Sequence, residues 1–195
     1  MKFRAPLAIM AAVSLAGCGL NSVPTSEENA KAKWADVQAA YQRRANLIPN
    51  LEATVKGAAA SERQILTDVI SARARATQVR VTGDELTDPA KMAQFQAAQG
   101  QLNGSLGRLL ANVEAYPELK SQNNFATFMD QLEGTENRIN IAILDYNKAV
   151  QDYNTRIRTF PDAVGARVFY GAKPMVPYQA TTPGAENAPK VDFGS

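Results

Sequence analysis

Apolar residues recur at three- and four-residue intervals along most of the chain, and nowhere alternate with polar ones over a strand's length. The first such stripe follows Thr25-Ser26-Glu27-Glu28, a capping-box pattern, and runs Trp34, Val37, Tyr41, Ile48, Leu51, Val55, Ala58, Ile65, Val69, Ala72 and Ala76. It breaks at Thr82-Gly83-Asp84. A second stripe opens at Asp88-Pro89, an N-cap with proline behind it, and continues through Met92, Phe95, Leu102, Leu106, Leu109 and Val113. Gly100, Gly104 and Gly107 interrupt it, a spacing that predicts close helix approach. Tyr116-Pro117 ends it. The third keeps a strict alternation of three and four from Phe125 through Met129, Leu132, Glu136, Ile139, Ile143, Tyr146, Val150, Tyr153 and Ile157 to Phe160. Pro161 stops it and begins a short helix to Tyr170. The pattern predicts an all-α, antiparallel bundle of three to four long helices and no sheet.

The lengths do not match. Residues 26–81 as one straight helix would span about 84 Å, against roughly 40 Å and 54 Å for the other two. Pro49 sits near the middle of the first and removes the hydrogen bond to the carbonyl of Ala45. The expectation is a kink there, either mild or sharp enough to fold the segment back into two pieces. Beyond Gly171, four prolines and few large apolar residues predict a disordered tail over 171–195.

Residues 1–17 carry Lys2 and Arg4, then an apolar run from Ala5 to Leu15. Eleven helical residues rise roughly 17 Å, too short for a ~30 Å hydrocarbon core, so the run reads as a signal peptide. Leu15-Ala16-Gly17-Cys18 resembles a lipobox. The resemblance implies cleavage before Cys18, a diacylglycerol on its sulfur and an acylated (palmitate-type) amino terminus, with residues 18–25 as tether. Glycine at 19 favours the outer membrane, with the helical body over 26–170 facing the periplasm.

Composition narrows the chemistry. Without Lys2 and Arg4 the 21 basic residues become 19, equal to the 19 acidic ones, so the body lacks the charge excess of a nucleic-acid binder. There is no histidine, which removes Ser/His and Cys/His catalysis and His-ligated metals. No cofactor and no catalytic residue is predicted.

Several polar residues nevertheless fall on buried faces. Arg44 lies on the first stripe and Arg43 points outward. Glu62 lies on that stripe too, and Glu136 holds a seam position. A buried carboxylate needs a cation, and Arg44, Arg73 and Arg138 are candidates. Register-fixing ion pairs are favoured over acid–base chemistry. Tyr146-Asn147 and Tyr153-Asn154 repeat at an interval of seven, suggesting packed tyrosines with asparagines bonding across helices, or else a polar peptide groove. Arg73, Arg75 and Arg80 form a basic cluster expected at the end remote from Cys18.

The blocks Arg43-Arg44, Leu47-Ile48-Pro49-Asn50-Leu51, Thr54-Val55-Lys56-Gly57, Ala115-Tyr116-Pro117-Glu118-Leu119-Lys120, Leu132-Glu133-Gly134-Thr135-Glu136 and the two Tyr-Asn pairs resemble the LemA family. The resemblance implies a helical bundle outside a bacterial cytoplasmic membrane, and it brings no established enzymatic activity, cofactor or catalytic residues. The family's usual uncleaved membrane segment is replaced here by the lipobox. The expected function is an envelope lipoprotein whose bundle binds an envelope protein or itself, with Arg44, Asn50, Glu62, Glu136, Arg138, Asn147 and Asn154 as polar-core or interaction candidates. The alternatives are a module for peptidoglycan, lipid or a small ligand, and a carboxylate hydrolase on Glu62 and Glu136.

Overall fold

The computed structural model describes residues 21–55, 60–113 and 123–179, with side chains over 21–49, 64–111 and 125–179. Cys18 and the signal peptide, the side chains of Asn50 and Glu62, and residues 180–195 therefore lie outside the described residues. Among the described residues four long helices make the body: α1 (Ser22–Val55), α2 (Ala60–Gln78), α3 (Pro89–Val113) and α4 (Asn123–Arg156). A 3-10 turn, Gly83–Thr87, joins α2 to α3, and α5 (Asp162–Gly165) runs on into a wider π turn, Ala166–Tyr170. Among the described residues there is no strand.

The overlong first segment is a hairpin. Trp34 Nε1 donates to the carbonyl of Val81 at 2.7 Å, Arg73 Nε to that of Ala45 at 2.7 Å, and Lys31 reaches Asp84 at 3.3 Å. As one number rises the other falls, so α1 and α2 are antiparallel and the chain reverses between Val55 and Ala60. Pro49 lies inside α1, six residues before its end, so the sharper of the two alternatives, a fold-back at the proline, does not occur. The same argument sets α4 antiparallel to α1, through Arg44–Glu136 and Lys33–Asp145. The order is up-down-up-down.

Apolar burial explains each helix. In α1 the inward face is Val23, Ala30, Trp34, Val37, Tyr41 and Ile48. Val23 is fully buried, so α1 begins at Ser22, within the supposed tether, and the Thr25 capping box does not form. Pro24 is tolerated there because first-turn amides have no helical acceptor to lose. Instead Thr25 Oγ1 donates to the Asn21 carbonyl at 2.6 Å. The predicted start of α3 stands: the Asp88 carboxylate accepts from the amides of Ala90 and Lys91 at 2.8 and 3.3 Å.

Two further expectations are corrected. Nothing lies within 4 Å of where a Cβ would stand on Gly104 or Gly107, so close helix approach is not their purpose. The tail is ordered further than its prolines suggest. Gly171, at φ +55°, ends the π turn in a left-handed conformation that suits glycine. Residues 171–179 then run extended along the bundle as a strap, with Met175 and Tyr178 buried.

Among the described residues the core falls into two apolar blocks. One gathers Trp34, Val37, Tyr41, Met92, Phe95, Ile139, Tyr146, Val150 and the strap. The other gathers Ile48, Val69, Leu102, Leu106, Leu109, Phe128 and Leu132. Between them, one turn from each block on three helices, lies a polar layer.

Candidate functional site

The polar layer is built on Arg44, the residue α1 places between Tyr41 and Ile48 on its inward face. The side chain is 3 % exposed. One guanidinium nitrogen donates to Glu136 Oε1 at 3.1 Å, and the other to the Gln99 carbonyl at 3.3 Å and Gln99 Oε1 at 3.0 Å. Gln99 Nε2 in turn donates to the Ala76 carbonyl at 3.2 Å, so the layer ties all four helices together. The Arg44 guanidinium carbon lies 5.0 Å from the centre of the Tyr41 ring, a cation–π arrangement. Arg44 Nε is buried without a hydrogen-bond partner, an orphan that costs about 1–3 kcal/mol in such a setting. Glu136 is 35 % exposed, so its carboxylate keeps part of its hydration. Of the cations considered for Glu136, Arg44 is its partner; Arg138 points outward and is exposed.

Arg73 has a different task. Proline at 49 leaves the Ala45 carbonyl without its helical donor, and Arg73 supplies one from α2 at 2.7 Å. The basic cluster is thereby divided. Arg73 is turned into the bundle, while Arg75 and Arg80 are exposed. None of the three sits at a remote tip, because the hairpin returns them alongside Ala45 to Trp34. A cavity of about 280 Å³ beside the layer is lined by Gln38, Tyr41, Gln42, Arg80, Phe95 and Gln99.

The Tyr-Asn repeat holds the strap. Asn154 accepts from the Met175 amide and donates to the Met175 carbonyl, both at 2.8 Å. Asn147 does the same to Tyr178, at 2.7 and 2.9 Å. Tyr146 and Tyr153 donate to the carbonyls of Val176 (2.8 Å) and Lys173 (3.1 Å). Seven residues is two helical turns, about 10.5 Å, which matches three residues of extended chain. The repeat is thus a peptide groove, and its occupant is this chain. The strap closes onto the polar layer through Tyr178, whose hydroxyl meets that of Tyr41 at 2.5 Å, and onto the 3-10 turn through the Val176 amide and Leu86 carbonyl at 2.8 Å. Burial pushes the phenols of Tyr41, Tyr146 and Tyr178 above their ordinary range, since a phenolate there would lose its water.

A third feature lies outside. Ile141 of α4 is exposed and lines a shallow groove of about 310 Å³ against Ala39 and Ala40 of α1, and Leu144, one turn on, is 69 % exposed. Arg43 and Arg138 flank one end of the groove, Asp36 and Asp145 the other. Lys33 bridges both acids, at 3.4 and 3.7 Å. Neither arginine has an ion-pair partner among the described residues. Sequence reasoning missed this face, although Ile141 and Leu144 stand off the α4 seam and could have signalled it.

Residues 33–193 match the LemA family. The chain is also similar to magnetosome proteins MamQ 2 and MamQ 1 of Paramagnetospirillum magneticum (strain AMB-1), 28 % identical to each over 171 residues that cover 80 % of this chain and 63 % of theirs. Magnetosome protein MamQ of Magnetospirillum gryphiswaldense is 27 % identical over 157 residues, 72 % of this chain and 58 % of its own. The chain spans about three fifths of the length of these curated relatives.

Proposed function

Because the chain belongs to the LemA family, we propose that it is a non-enzymatic envelope protein, lipid-anchored at Cys18 and facing the periplasm, whose α1/α4 face binds another envelope protein. The outer membrane is the favoured location. The observation that carries the reading is exposed Ile141 in a groove with two outward arginines, with exposed Leu144 one turn further along α4. Large apolar side chains ringed by charge are the make-up of a protein interface with a polar rim. The inward charges support the same reading, because Arg44 is engaged with both Glu136 and Gln99.

The charge layout chooses the partner. Copies anchored in one leaflet stand in the same sense, so a pair joined through this face would set Arg43 against Arg138 and Asp36 against Asp145. Like charges in register oppose that pairing. A different protein, with an apolar ridge and acidic groups level with the arginines, fits better.

A photo-crosslinking residue at position 144 of the full chain, in living cells, tests this. The expected result is one reproducible adduct, missing when the crosslinker is moved to exposed Gln94 and lost on Arg43→Glu with Arg138→Glu. Adducts only to a second copy, or adducts indifferent to the arginines, would refute the proposed partner.

A further inference from the structure

The segment Phe160–Tyr170 is amphipathic in the wrong direction for a helix packed on a protein in water. Its inward positions are small, Gly165 and Ala166, and Ala166 joins the same core block as Val23. Its outward positions are large and apolar: Phe160, Val164, Val168 and Phe169, with the two phenylalanines 85 % and 68 % exposed. Arg158 and Arg167 stand among them, exposed and without an ion pair among the described residues. The segment is held in place by Arg156, which binds Asp152 at 2.9 Å and Asp162 at 3.8 Å.

Its position gives the surface an occupant. Arg156 and Asp152 line a depression with Asn21, Ser22 and Thr25, so the segment and the start of α1 share one end of the bundle. Asn21 is three residues on from Cys18, at most about 11 Å of chain. A lipid on Cys18, or the apolar run Ala5–Leu15 if it is kept, would tie the chain to the membrane at that same end. We infer that Phe160, Val164, Val168 and Phe169 enter the interfacial layer of the membrane that holds the chain, with Arg158 and Arg167 at the phosphate groups. Apolar residues interleaved with exposed cations are the composition of an interfacial membrane contact. The contact supplements the anchor by fixing which end of the bundle lies on the lipid. It rests on membrane attachment, and uses a surface distinct from the α1/α4 face.

The test uses the full chain, extracted from bacterial membranes and reconstituted in phosphatidylethanolamine/phosphatidylglycerol vesicles. Phe169→Trp and, separately, Phe160→Trp report on the segment, and Leu144→Trp reports on the flank; native Trp34 is buried and common to all three. The expected result is blue-shifted emission at 160 and 169, quenched by brominated lipid at least threefold more strongly than at 144, with aqueous acrylamide showing the reverse order. Protein that floats with the vesicles while 169 is as open to acrylamide as 144 would overturn the inference and leave attachment standing. A blue shift without bromolipid quenching would overturn it in favour of a protein contact. Failure to float with the vesicles would sink both attachment and this contact.

Discussion

Asn154→Ala is the sharpest test of how the strap is held. The substitution removes two hydrogen bonds of 2.8 Å, one to the amide and one to the carbonyl of Met175. At about 1 kcal/mol each, the strap loses about 2 kcal/mol against its detached state, close to a thirtyfold rise in the detached population. Met175 and Tyr178 are three residues apart on one extended segment with no backbone ladder of its own, so they come away together. Native-state hydrogen exchange reads this directly. Protection at the Met175 and Tyr178 amides is expected to fall about thirtyfold, while that of Leu102, in the other core block, stays constant. Unchanged protection at Met175 would mean that side-chain burial alone holds the strap. An equal fall at Leu102 would mean that the strap opens only with the whole bundle. Either result would refute the account of the Tyr-Asn repeat.

Arg73→Ala orphans the Ala45 carbonyl and is expected to lower stability by about 1–3 kcal/mol in urea. With Pro49→Ala also present, the restored amide reaches that carbonyl, so the loss should shrink by at least half; equal losses in both backgrounds would contradict the pairing of Pro49 with Arg73. Glu136→Ala leaves Arg44 buried with one acceptor fewer. Partial exposure of Glu136 limits the expected loss to about 1–3 kcal/mol, below the 3–5 kcal/mol of a fully buried pair, and thermal or urea melting decides. Burial raises the phenols of Tyr41, Tyr146 and Tyr178, so the folded chain holds their protons more tightly than the unfolded one. Their contribution is complete below the ordinary tyrosine value of 10.0 and is lost as pH rises past it. Urea midpoints should fall steeply above about pH 10, and less steeply in Tyr178→Phe.

The helical architecture was legible because burial writes it at a period of 3.6. Where side chains are described, the stripes and the Asp88-Pro89 start stand where the sequence puts them, but α4 ends at Arg156, short of Pro161, and Phe160, expected on the seam, is exposed. Arg44 and Glu136 were legible as inward charges for the same reason. Whether Pro49 folds the segment back was left open because a proline signals a lost hydrogen bond, and nothing near Pro49 shows that Arg73, on the next helix, replaces it. Gln99 escaped notice because a glutamine is equally at home on a helix surface. The strap was misread because its composition lacks a core of its own; its order comes from side chains 20 to 31 residues upstream. The Tyr-Asn interval of seven was the available signal, and its match to three extended residues, Met175 to Tyr178, could have been computed from geometry alone.

The start of α1 at Ser22 also sets a height. Asp36 and Arg43 stand 14 and 21 residues up α1 from Ser22, about 21 and 32 Å along its axis. On the proposed anchoring, every copy offers its α1/α4 groove in one thin stratum above the lipid. A partner confined to that stratum searches a plane in place of a volume. Crowding of this kind raises the local concentration enough for a modest intrinsic affinity to keep the two together, and release from the membrane would dissolve the complex without altering a single contact.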